Sequence, residues 1–171
     1  MTTISRLNDV DLDAVATLID ACKEDADKAA TTWRAEVHWN GGFRSEGRIR
    51  DFAPLPSDEP TALGGTDTAP NPVEQLLAAL GNCLAVGVAA NATARGIRLR
   101  SLSIAVEGDL DLSTFLGLEP GHAGFGNITA QVDVDADASP EEVAELVEYV
   151  FNTSPVGHTL AREIPVAVVT A

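Results

Sequence analysis

The sequence predicts a single α+β domain built around one long apolar helix, and three observations carry that expectation. Residues 72–95 hold Leu76, Leu77, Ala79, Leu80, Cys83, Leu84, Val86 and Val88 with no polar face. A helix apolar all round lies inside a protein. Segments that read as strands occur on both sides of it, at 33–39, 46–53, 98–110 and 125–135. Strands and helices are segregated along the chain rather than alternating, which gives the α+β class. At 171 residues and 45% hydrophobic, the chain has the length of one domain and the composition to fill a core. Aromatic residues are only 5% of it, so that core is built from Ala, Val, Leu and Ile.

The elements follow in order. Residues 9–29 read as an amphipathic helix, capped by Asp9 or Asp11, with Leu12, Val15, Ile19 and Cys22 on one face. Residues 33–39 alternate, Asn40-Gly41-Gly42 signals a turn, and 46–53 is the returning strand of a hairpin. Residues 54–71, rich in Pro and Gly, read as a loop long enough to suggest a role in function. Asn71 caps the long helix, Pro72 opens its first turn, and Gly96 stops it. Two strands at 98–110 and 125–135 flank a loop at 111–124. Ser139-Pro140-Glu141-Glu142 starts a helix that runs to Asn152, and Pro155 opens a short second piece. Residues 164–170 read as a closing strand.

Charge narrows the function. Acidic residues number 26 against 11 basic, a formal charge of -15. That field repels a nucleic-acid backbone and an anionic membrane surface alike. The stretch 72–95 is broken by Gly81, Asn82 and Asn91, and a core helix is expected there rather than a membrane span. The first residues show no apolar signal core, and two cysteines make no disulfide framework, so a cytoplasmic, reducing location is expected. A single domain has limited means to cover a helix that is apolar all round, so a partner subunit is expected to contribute.

Several constellations fail on inspection. Asp133, Asp135 and Asp137 look like the opening of a calcium loop, but Ala138 and Ala144 occupy its Gly and closing Glu positions. His38, His122 and His158 have no short metal-ligand spacing, and no metal or cofactor is expected. Ser154 and His158 lack a nucleophile-elbow signature. Gly124-Phe125-Gly126 is too short for a dinucleotide loop.

The distinctive stretch runs from Gly65 to Leu84. It has a Gly-containing loop, Asn71-Pro72 at a helix start, a glutamate, and a run of small apolar residues ending at Cys83. It resembles the OsmC/Ohr family of thiol peroxidases, which reduce organic hydroperoxides. The resemblance reaches the segment from His38 to Arg44 and Ser154-Pro155-Val156, and covers roughly residues 33–170. It implies an OsmC-like domain over 33–171 with residues 1–32 as an N-terminal helical extension. It also implies curved antiparallel sheets around long central helices in an intertwined homodimer.

The resemblance assigns Cys83 as the peroxidatic thiol, against the plainer reading of a small hydrophobe in a buried helix. Local sequence supplies no activating cation: Arg95 is about 18 Å away along the helix axis. The resemblance assigns that role to Arg44, just after Gly41-Gly42, to stabilise the thiolate and orient the peroxide. Arg48 and Arg50 are nearby alternatives. The family's glutamate directly follows Asn-Pro, whereas here Val73 does and Glu74 comes next. Either the helix start is adjusted, or Glu74 serves only the helix N-terminus.

Ser154 stands where the pattern places a resolving cysteine, so no disulfide between positions 83 and 154 can form. Cys22, the other thiol, fits the apolar stripe of the first helix. The expectation is therefore a peroxidase with one working cysteine and an external thiol reductant, acting on small organic peroxides. The alternative is a non-catalytic dimer of the same fold that binds a small apolar ligand. A cysteine hydrolase or transferase would need a histidine beside Cys83.

Overall fold

A computed structural model describes residues 6–170. The first five residues, which belong to the expected extension 1–32 and to the stretch read for an export signal, lie outside the described residues, as does Ala171. The chain divides into two compact units, Asp13–Leu76 and Leu77 onward together with the residues up to Leu12.

Asp13–Leu76 contains most of helix α1 (Leu12–Glu24), followed by a short 3-10 turn at Ala26–Ala29. Strands β1 (Glu36–Trp39) and β2 (Ser45–Arg48) form the expected antiparallel hairpin, with His38 opposite Glu46. Its turn needs left-handed backbone at Gly41 and Gly42, φ 88° and 61°. Part of the expected loop is a third strand, β3 (Leu55–Ser57), paired antiparallel with β2. Pro56 sits opposite Glu46 there. β3 is an edge strand, the place in a sheet where proline is tolerated.

The loop after β3 is organised by one carboxylate. Asp58, 1% exposed, accepts hydrogen bonds from both the N–H and the hydroxyl of Thr66 and of Thr68, and from the N–H of Glu59. Gly65 is required because a Cβ there would lie 1.8 Å from the Glu59 carbonyl oxygen. The loop delivers the chain to Asn71, the cap of helix α2 (Pro72–Ala94). Glu74 N–H donates to Asn71 Oδ1 at 2.9 Å, and Asn71 N–H donates to Glu74 Oε2 at 2.8 Å. That reciprocal pair is a capping box.

The second unit holds the core. Leu80, Leu84, Val88 and Ala92 of α2 recur every four residues and are all buried. They pack with Leu146 and Val150 of helix α3 (Pro140–Thr153), and with the inward faces of β4 (Leu99–Leu110) and β5 (Phe125–Ala136). β4 and β5 pair antiparallel, Ile104 opposite Val132 and Val106 opposite Ala130, and their exposure alternates along both strands as expected of a half-buried ribbon. Gly96, φ 73°, ends α2, and Ile97 N–H closes back on the Ala92 carbonyl. Ser139 and Glu142 form the capping box of α3. Asn8 donates to Thr93 and Ile97 and accepts from Leu99, tying the N-terminal segment to this corner. Asp135 and Asp137 both pair with Arg100, and the Asp135 bond holds that carboxyl below the usual range.

The expected closing strand differs as well. Residues 164–170 form no strand among the described residues. A strand exists only through the ladder to a neighbour, and this segment has none among the described residues. Its apolar residues stand in solvent, with Val168 91% exposed.

The Asp58 cluster makes a pH prediction. The Thr66 hydroxyl first, with the N–H groups of Thr68 and Glu59, holds the folded carboxyl well below the ordinary value near 3.9, against the opposing effect of burial. Its stabilisation is therefore complete above about pH 4 and is lost as pH falls below it, because the unfolded chain takes up the proton first. Asp58→Asn is expected to lower the melting temperature at pH 7. It is also expected to flatten the acid limb of the stability profile, measured by thermal unfolding between pH 7 and 2.

Candidate functional site

The site is built by two helices that come unusually close. A Cβ on Gly87 would lie 2.5 Å from Val150 Cγ1, so only glycine lets α3 approach α2 at this level. One turn earlier on α2 stands Cys83, and one turn beyond Val150, just past the end of α3, stands Ser154. The helices are therefore antiparallel here, and the next pair in the stack is Cys83 with Ser154. Cys83 Sγ and Ser154 Oγ are 3.2 Å apart, a hydrogen bond in which either atom can be the donor.

Ser154 joins α3 to the short helix α4 (Pro155–Leu160) and is 4% exposed. Its N–H donates to the Phe151 carbonyl and ends α3. Its Oγ accepts from Gly157 N–H at 3.0 Å and starts α4. With the His158 N–H donating to its carbonyl, position 154 is thus fixed by four hydrogen bonds besides packing.

Cys83 is half-buried and faces a cleft of about 400 Å³. Its walls are Asn82, Val86, Gly87, Val150, Thr153 and Pro155, with Ser154 beside the sulfur. Thr153 directs its hydroxyl back to the Tyr149 carbonyl, so the cleft is largely apolar. No histidine lines it. The His158 N–H donates to the Ser154 carbonyl in the ordinary helical pattern. Chemically the cleft offers a thiol, a neighbouring hydroxyl and room for a small apolar molecule. Among the described residues no group of side chains is placed to hold a metal ion.

The remaining sequence-selected residues lie in the unit Asp13–Leu76. Arg44 closes the hairpin turn, where its carbonyl accepts from Asn40 N–H at 2.9 Å. Its side chain is exposed and makes no ion pair among the described residues. The two alternatives are engaged: Arg48 pairs with Glu46 at 2.6 Å, and Arg50 lies 4.6 Å over the Phe52 ring. Glu74 spends one carboxylate oxygen on the capping box at Asn71. Cys22 is a free, half-buried thiol on α1.

Sequence reasoning missed Gly87 and Asp58. Gly87 left a visible sign, a glycine inside a helix one turn after the candidate cysteine. Asp58 left a weaker one, an acid before Thr66 and Thr68 in a Pro- and Gly-rich loop.

The family model described as OsmC-like protein matches residues 65–169. An OsmC-like protein from Mycoplasma pneumoniae shares the fold with TM-score 0.67 and 20% identity, over 77% of this chain and 88% of that one. An organic hydroperoxide resistance protein OsmC from Legionella pneumophila gives TM-score 0.55 and 19% identity, over 77% and 91%. An organic hydroperoxide resistance protein from Elizabethkingia anophelis gives 0.56 and 16%, over 75% and 88%. At these identities the structural likeness speaks for the fold alone. No curated protein matches the chain. The match to the family model spans more than half of the sequence, and the order of hairpin, capped apolar helix, long ribbon and paired helices agrees with it: the chain belongs to the OsmC family.

Proposed function

We propose that the protein is a thiol-dependent peroxidase that reduces organic hydroperoxides through Cys83, with an external thiol as reductant. The observation that carries this reading is a free thiol on the central helix of an OsmC-family chain, facing an apolar-walled cleft. Structural neighbours are named organic hydroperoxide resistance proteins.

In the proposed reaction the Cys83 thiolate attacks the terminal oxygen of the hydroperoxide. The O–O bond breaks, the sulfur becomes a sulfenic acid, and the organic part leaves as an alcohol after taking a proton. Ser154 has no thiol to offer, so an external thiol condenses with the sulfenic acid, releasing water and leaving a mixed disulfide. A second external thiol displaces Cys83 and restores it. Arg44 is assigned the guanidinium that stabilises the thiolate and orients the peroxide, since its charge is uncommitted while Arg48 and Arg50 are engaged. Glu74 is assigned to fixing the first turn of α2 through the Asn71 capping box. Residues 1–32 are read as an extension to the family domain, and two free thiols suit a cytoplasmic location.

We further propose that the working form is a homodimer. Val86 on α2 is 69% exposed, and the alternating segment 164–170 stands unpaired. Apolar side chains left exposed on a core helix and on an unpaired segment favour an interface. Light scattering at micromolar concentration is expected to give twice the chain mass, and a monodisperse monomer would refute the assignment.

The peroxidase reading is tested by trapping Cys83 sulfenic acid with a dimedone-type reagent after stoichiometric cumene hydroperoxide. Wild type is expected to label at Cys83 and Cys83→Ser to show no label at that position. Arg44→Ala is expected to label about tenfold more slowly or worse, as for loss of a hydrogen bond to a charged group. The serine at 154 favours the alternative of a non-catalytic ligand-binding dimer. That reading takes over if the thiol stays unreacted while the cleft still binds a small apolar molecule.

Restoring the second thiol gives an independent check. The 3.2 Å approach of Cys83 Sγ to Ser154 Oγ is close to the reach of a disulfide. Ser154→Cys is expected to lose both thiols to an intramolecular disulfide on peroxide treatment and to become reducible by thioredoxin-type dithiols. Wild type is expected to stop at the sulfenic acid and to overoxidise under excess peroxide.

A further inference from the structure

Ser154 does more than stand in the place of a missing thiol. A serine hydroxyl has one proton to donate and two lone pairs to accept with. At Ser154 one lone pair takes the Gly157 N–H at 3.0 Å, a bond fixed by the start of α4. The remaining polar contact of the oxygen is Cys83 Sγ at 3.2 Å. While Cys83 is a thiol, either atom can donate. Once the sulfur is a thiolate it has no proton, so the Ser154 hydroxyl must be the donor, and the bond becomes charge-assisted. The site is buried at Ser154 and open at the cleft, so water does not replace the hydroxyl on that side of the sulfur. A Cβ at 157 would lie 3.1 Å from Ser154 Oγ, so glycine there leaves the hydroxyl its room.

We propose that Ser154 is the positioning residue of the Cys83 site: its hydroxyl, anchored by Gly157 N–H, donates its proton to the Cys83 sulfur and keeps the reactive thiolate turned into the cleft. This rests on Cys83 being the working nucleophile and assigns the neighbour that prepares it. Serine at this position therefore removes the disulfide step and retains a role in the first step. The sulfur attacks with a lone pair that faces the cleft, while the lone pair facing Ser154 stays hydrogen-bonded.

The test measures nucleophilicity apart from peroxide chemistry. In a Cys22→Ser background, the rate of Cys83 alkylation by iodoacetamide at pH 7 is compared among wild type, Ser154→Ala, Ser154→Gly and Ser154→Thr. Ala and Gly remove the hydroxyl, and Gly does so at little cost to a helix cap. Thr keeps both the donor and the cap. Ala and Gly are expected to slow alkylation about tenfold, and Thr to restore most of the wild-type rate. Circular dichroism reports whether each variant is folded. Folded Ala and Gly variants that alkylate at the wild-type rate overturn the proposal, as does a Thr variant as slow as Ala.

A second measurement needs no change at 154. The Raman S–H band of Cys83 is expected to be that of a thiol held in a hydrogen bond as donor or as acceptor, and a band matching a thiol that neither donates nor accepts overturns the contact itself. Cumene hydroperoxide is run in parallel. If wild type forms no sulfenic acid while Ala and Gly still slow alkylation, the peroxidase reading falls and the positioning role stands. If peroxide oxidation proceeds while alkylation ignores position 154, the positioning role alone falls.

Discussion

The ridge Leu80, Leu84, Val88 and Ala92 is the constraint on which the Cys83 site depends. Four residues apart on one helix, these side chains share a face, and that face is the floor of the core. The β4–β5 ribbon covers it from one side with Leu102, Ile104 and Val106 and their partners on β5. α3 covers it with Leu146 and Val150, and Gly87 sets how close α3 can come. The glycine lacks a side chain where Val150 would otherwise be blocked. Every position one turn away inherits that spacing, which is why Cys83 meets Ser154 at hydrogen-bond distance rather than across a gap. The chemistry of the cleft is thus a consequence of helix packing one turn removed from it.

A polar constraint governs the other unit. Asp58 is buried and collects five donors from Glu59, Thr66 and Thr68. A buried carboxylate without donors is costly, and with them it pins a loop that has little apolar material of its own. The loop ends at Asn71, and the reciprocal bonds between Asn71 and Glu74 fix the first turn of α2. Glu74 can serve that cap because it stands three residues after Asn71, the spacing a capping box requires. Its displacement by one residue from the family pattern has a local structural use.

The replacement of a thiol by a hydroxyl at 154 separates two properties that a second cysteine would combine. Both side chains can sit against Cys83, but only a thiol can condense with a sulfenic acid. Serine keeps the contact and gives up the covalent step, which is why the proposed peroxidase reading calls on an external thiol. An OsmC-family fold by itself does not fix which of these chemistries is used. Residue 154 bears on that choice, and it is held in place by the end of α3, the start of α4 and the Gly157 N–H.

Much of the architecture was legible in the sequence because it is written in local chemistry. Asn71-Pro72 and Gly96 bound α2, Ser139-Pro140 opens α3, and the alternation in 98–110 and 125–135 marks the ribbon; each signal acts within a few residues of itself. The order around Asn71-Pro72 and Cys83 also pointed to the family. What the sequence could not show depends on neighbours distant along the chain. β3 and the unpaired 164–170 segment differ only in whether a partner strand lies alongside, although 164–170 has the better strand pattern. Asp58 is an ordinary acid until the loop folds its donors onto it. Cys83 and Ser154 are 71 residues apart, and their contact exists because Gly87 admits Val150. Side-chain spacing within an element is local and can be read directly, whereas the distance between elements is set by which atoms meet, and only the tertiary structure decides that.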